Sequence, residues 1–102
     1  MNINQFIQKY RKCETITPTL TSCHTPHIRC SDGFKMSVQA GPSLYSTPRT
    51  VADRYSTVEV GYPSEYESLL DLYDYNDGEV FAFVPCTVVD MIISKHGGIV
   101  LS

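Results

Sequence analysis

The chain has no tryptophan, and beyond residue 58 its only Lys or Arg is Lys95. No apolar run approaches the roughly 18 residues a bilayer span requires, so no membrane helix is expected. The opening stretch MNINQFIQKYRK lacks an apolar central region, and no signal peptide is read from it. GxxxxGK[ST], GxGxxG, HExxH and GxSxG are all missing. That removes the phosphate-cradling loops, the zinc-protease helix and the nucleophile elbow. No convincing carboxylate pair stands out either. We therefore assign no catalytic residue, no cofactor and no enzymatic activity. There is no internal repeat and no low-complexity tract.

What is present suits one soluble domain spanning 1–102. Two cores in 102 residues would each be too small to bury enough apolar surface. A hydrophobic share of 42% with 19% charged residues argues against disorder. The net charge of −3 conceals a division. Residues 1–58 carry seven Lys and Arg against Glu14, Asp32 and Asp53, a net of +4. Residues 59–102 carry Lys95 against eight Asp and Glu, a net of −7. An extended nucleic-acid surface would need more uncompensated cations. A basic half can still meet a small anion, and an acidic half can meet a protein.

Local periodicity sketches the fold. Ile3, Phe6, Ile7 and Tyr10 form one helical stripe, which places a helix over 1–12 with Asn2 as N-cap. Residues 13–33 are rich in Thr, Ser, Cys, His and Pro and read as an irregular segment, with one short strand near Ile28. Phe34, Met36, Val38 and Ala40 alternate with Lys35, Ser37 and Gln39, as in a half-buried strand. Tyr55–Tyr62 alternates in the same way. Ser64 and Glu67 form a capping-box pattern ahead of an apolar stripe, predicting a helix from Ser64 to about Tyr75. Asn76-Asp77-Gly78 is a turn, and Glu79–Val84 reads as a covered central strand. Thr87 then caps a third helix with Asp90 near its positive end, and the helix ends at Gly97-Gly98; Ile99–Leu101 adds a short final strand. The sum is an α+β core over 34–102: a small, mostly antiparallel sheet with two to three helices packed on one face.

The segments Met36-Ser37-Val38-Gln39-Ala40, Ser46-Thr47-Pro48-Arg49, Val58–Ser64 and Lys95-His96-Gly97-Gly98-Ile99 carry a resemblance. In this order they resemble a small uncharacterised protein family of tailed bacteriophages and prophages. The resemblance implies a source type, the cytoplasm of a bacterial host cell, but no settled activity. Small accessory phage proteins as a class often counter bacterial immunity.

Two clusters are candidate sites. Cys23, His24, His27 and Cys30 lie within eight residues, and Cys13 or Cys86 could complete four zinc ligands. The spacing has no pair of CxxC knuckles, so we read a polar loop with reduced thiols, with a zinc site or a disulfide as the alternatives, and assign no metal. His96 at a helix end is read as favoured by the helix dipole. The second cluster is Tyr45, Ser46, Thr47, Arg49, Arg54 and Tyr55, between two strands. Guanidinium forks fit phosphate oxygens, hydroxyls add donors, and a tyrosine ring can stack on a base. We expect these six to bind a nucleotide-like anion without chemistry, sequestering a defence signal, in a homo-oligomer that encloses the ligand. The alternative uses the acidic half with Tyr62, Tyr66, Tyr73 and Tyr75 as a docking face for a host defence protein, in the manner of an anti-CRISPR inhibitor.

Overall fold

Helix α1 (Ile3–Tyr10) starts where the sequence places it. Asn2 Oδ1 accepts from the Gln5 N–H, and Gln5 Oε1 accepts from the Asn2 N–H, closing a reciprocal cap. Its Ile3, Phe6 and Ile7 are buried. The computed structural model describes residues 1–101.

The next segment departs from expectation. Residues 13–33 are not irregular: β1 (Lys12–Thr17) and β2 (Leu20–His24) form an antiparallel hairpin, and β3 (Ile28–Arg29) follows. Cys13 and Cys23 face each other across the hairpin and are joined by a disulfide. The expected reduced thiols are corrected on this point, because both cysteines occupy one cross-strand pair. A Cys13–Cys23 zinc set is thereby excluded. No apolar periodicity marks these strands, since β1 is exposed along its whole length.

The main sheet runs β3, β4 (Lys35–Gln39), β5 (Thr57–Gly61), β7 (Val80–Pro85), β6 (Asp74–Asn76), with neighbouring strands antiparallel throughout. The alternation in β4 and β5 is borne out. Met36, Val38, Val58 and Val60 are fully buried, and Lys35, Ser37, Gln39, Thr57 and Glu59 are more exposed; the pattern breaks at Gly61, which is buried beside Val60. The turn between β6 and β7 has positive φ at both Asp77 and Gly78, the backbone a tight hairpin requires.

The expected helix from Ser64 to Tyr75 is a shorter 3₁₀ helix, Ser68–Tyr73, running into β6. Ser64 does not cap it: Ser64 Oγ accepts from the Lys35 N–H, across the fold. Glu67 takes the cap position and accepts from the Leu69 N–H. Helix α2 (Cys86–Lys95) begins one residue before Thr87, behind Pro85, and has no side-chain cap. Asp90, expected near this helix's own start, instead accepts from the Ile3 N–H at the start of α1. Gly97 ends α2 at φ +91, with the Gly98 N–H reaching back to the Ile93 carbonyl. The final strand reduces to one bridge between Ile99 and Cys30. Helix α2 packs on α1 and β7, and the 3₁₀ helix packs on β7 and α2. The result is α+β, as expected. Among the described residues no helix is long and apolar enough to cross a membrane.

Candidate functional site

The six loop residues expected to form one site are divided by the fold. Ser46 is buried and structural, with its hydroxyl between the Gly41 N–H and the Pro48 carbonyl. Tyr45 and Arg49 form a small aromatic face. The Arg49 guanidinium stands 5.3 Å from the Tyr45 ring centroid and donates to the Leu44 carbonyl at 2.9 Å. Tyr75 and Phe83 lie 4.9 and 5.8 Å from Tyr45. Phe83 reaches this face because β7 carries an extra residue opposite β5, and Phe83 adopts a φ of +52 there.

Thr47, Arg54 and Tyr55 line a groove of about 900 Å³ between α1, the loop before β5 and the start of α2. Asn2, Gln8, Ser56 and Thr87 supply further polar wall. The groove is anchored from below by Tyr55, whose ring is buried. Its hydroxyl donates to the Thr50 carbonyl and accepts from the Ala52 N–H and from Arg11. Arg11 also donates to the carbonyls of Ala40 and Ala52, which fixes the loop. The Tyr55 backbone is clamped by the Asn4 side chain on α1. Arg54, by contrast, is exposed and makes no ion pair or side-chain hydrogen bond among the described residues. Cys86 also borders the groove, but burial pushes its thiol up to about 11, so it is not a thiolate nucleophile near neutrality.

A second cluster gathers around His96. The His96 ring lies between two carboxylates, with Nδ1 2.6 Å from Asp32 Oδ2 and Nε2 3.0 Å from Glu67 Oε1. Phe34 stacks on the ring, centroids 4.1 Å apart and planes 12° from parallel. The Glu67 side chain is fully buried, and its other oxygen receives the Lys95 ammonium at 3.0 Å. The local dipole explanation for His96 is therefore incomplete. Two specific anions, from positions 64 and 29 residues away in sequence, hold the ring. No short-range spacing signals such a set.

The electrostatics follow from these contacts. The Phe34 N–H and His96 hold the Asp32 carboxyl below its ordinary range. Burial opposes ionisation of Glu67, but the Leu69 N–H, His96 and Lys95 outweigh it and lower its pKa. Burial also disfavours the charged His96 ring, yet Glu67 and Asp32 outweigh it and raise its pKa. A raised histidine stabilises the fold below its unfolded value of about 6.5, and this support is lost as pH rises through the folded value. The lowered carboxylates stabilise above about pH 4 and lose that support as pH falls through their folded values. Thermal unfolding in metal-free buffer is expected to show maximal stability between roughly pH 5 and 6.5, declining on both sides. A His96→Gln variant is expected to lose the decline above pH 6.5. Unchanged alkaline behaviour in that variant rules out His96 as its source.

Both ring nitrogens of His96 are taken by carboxylates rather than by a hydroxyl or thiol. No known protein family, curated protein or solved structure matches the chain.

Proposed function

We propose that the protein is a non-enzymatic phage accessory protein that binds a nucleotide-like anion in the groove beside Arg54, and so withdraws a defence signal in the bacterial cytoplasm. The observation that carries this reading is an unengaged guanidinium at the wall of a groove of about 900 Å³. That volume falls within the usual range for small-molecule sites, roughly 300–1,000 Å³. Arg54 offers a planar fork for phosphate oxygens. Thr87 lies in the uncapped first turn of α2, where the helix dipole favours negative charge. Asp53 and Asp90 share the lining. They suit a ligand that carries hydrogen-bond donors beside its anionic group, as nucleobases and ribose do. The groove is open to solvent, and a second copy of the chain would complete its enclosure.

Calorimetric titration with a panel of mono- and cyclic nucleotides tests the reading. Arg54→Ala is expected to weaken binding at least tenfold, equivalent to about 1.4 kcal/mol. Arg49→Ala, whose guanidinium serves the Tyr45 face, is expected to stay within twofold. Equal affinity in Arg54→Ala and the unaltered protein removes the groove from consideration.

The exposure of the acidic half favours one second reading. Tyr62, Tyr66, Tyr75 and Leu72 are 63, 77, 63 and 90% exposed. Tyr66, Leu72 and Tyr75 lie among Asp71, Asp74 and Asp77, and Tyr62 lies between Glu59 and Glu65, while Tyr73 is half-buried against the core; the composition suits docking on a basic surface of a host defence protein. Under that reading Tyr66→Ala with Asp71→Ala weakens the protein complex and leaves nucleotide binding untouched.

A further inference from the structure

We propose that Asp32, Glu65 and His96 form a binding site for one divalent transition-metal ion, with Glu67 as the residue that positions the imidazole. The donor atoms of the three residues lie within 4.8 Å of one another. Asp32 Oδ2 and Glu65 Oε1 are 2.6 and 3.9 Å from His96 Nδ1. An ion bound at about 2.1 Å to each donor needs donor separations of roughly 3.4 Å in tetrahedral geometry. Asp32 must therefore open from Nδ1 by under 1 Å, Glu65 must close on it by about half of one, and the two carboxylates must approach each other by at most about 1.4 Å. Both side chains can do so, being 48 and 63% exposed.

The support around these donors is what distinguishes the set from an ordinary group of surface acids. A histidine that binds metal through one nitrogen commonly donates from the other to a carboxylate, which fixes tautomer and ring orientation. Glu67 Oε1 occupies that place at His96 Nε2, 3.0 Å away on a side chain with no solvent exposure. Lys95 neutralises its second oxygen. The stacked Phe34 ring limits rotation of the imidazole about its own axis. On the other ligand, Asp32 Oδ1 is held by the Phe34 N–H at 2.9 Å, which leaves Oδ2 turned to Nδ1. The Glu65 carboxylate accepts no hydrogen bond among the described residues and is available to the ion. On binding, the cation takes the position of the proton between Nδ1 and Oδ2, and that proton leaves to solvent. Water completes the shell.

The ligand chemistry narrows the ion. Two carboxylates and one neutral imidazole carry a charge of −2, matching a divalent cation. The imidazole favours zinc over magnesium, calcium and manganese, which prefer oxygen shells. The ion would share no residue with the Arg54 groove, so this proposal stands apart from the nucleotide reading.

The test is calorimetric titration of the disulfide-intact protein with zinc chloride, alongside the Glu65→Gln and His24→Ala/His27→Ala variants. Glu65 makes no other polar contact, so its variant keeps the fold. The expected result is one ion per chain, affinity weakened at least tenfold in Glu65→Gln, and affinity unchanged in His24→Ala/His27→Ala. Absence of one-to-one binding overturns the proposal. So does equal affinity in Glu65→Gln, or loss of binding when the two loop histidines are removed.

Discussion

Replacing His96 with alanine is expected to lower the free energy of unfolding by about 3 kcal/mol, the usual scale for stranding one member of a buried ion pair. The reason is Glu67. Its side chain has no solvent exposure, and it is compensated by the His96 ring, the Leu69 N–H and the half-exposed Lys95. Without the ring, one oxygen keeps its negative charge in a buried place and loses its direct hydrogen bond. The stack against Phe34 is lost as well, which opens a cavity under the end of α2. For a domain of this size the loss corresponds to a fall in melting temperature of roughly 12 °C or more. Urea unfolding near pH 6, where the ring is charged, measures it. A double-mutant cycle with Glu67→Gln separates pairing from packing. A neutral amide no longer needs the ring's charge, so the double variant is expected to be more stable than the sum of the single losses predicts. Strict additivity would show that ring and carboxylate stabilise the fold independently.

Removal of the Cys13–Cys23 bond, by reduction or by Cys13→Ser with Cys23→Ser, is expected to act locally and strongly. The loop it closes has a sequence separation of 10, for which chain entropy predicts about 3 kcal/mol. The β1–β2 hairpin is a separate two-stranded sheet with no buried residue in β1 or β2. Isolated two-stranded hairpins are marginal in water, so the covalent link supplies most of its persistence. Amide hydrogen exchange over residues 12–24 is expected to accelerate by on the order of 100-fold. Amides of β4, β5 and β7 are expected to keep their protection, because their Val38, Val58, Val60 and Val84 are buried without help from the hairpin. Equal acceleration in both regions would show instead that the hairpin belongs to the cooperative core. The global unfolding midpoint is expected to move by less than the hairpin's own loss.

The parts of the fold that were legible are those written in neighbouring residues. Phe34, Met36, Val38 and Ala40 alternate and become buried in and beside β4; Ile3, Phe6 and Ile7 recur with helical spacing and become the buried stripe of α1. Asn76-Asp77-Gly78 and Gly97 mark a turn and a helix end for reasons contained in their own φ angles. Where a local signal failed, a longer contact had claimed the side chain. Ser64 matched an N-cap by spacing, but its hydroxyl serves the Lys35 N–H, so the helix retreats to a 3₁₀ segment beginning at Ser68. Asp90 matched its own helix and serves α1 instead. Cys13 and Cys23 carried no periodic signal because both of their strands lie in solvent, where burial imposes no pattern.

The sequence by itself determined the α+β class, the alternating strands, the start of α1 and the end of α2, since each depends on contacts within a few residues. It also located Arg54 in a polar loop, though not which of its neighbours would share a surface with it. Tertiary structure alone decided that Thr47, Arg54 and Tyr55 meet the starts of two helices in one groove, while Arg49 turns to Tyr45. It alone gathered Asp32, Glu65, Glu67 and His96 around a single imidazole. These groups come from a turn, a loop and a helix end far apart in the chain. Only the pairing of strands and the packing of α2 set their distances, and no spacing along the sequence encodes that.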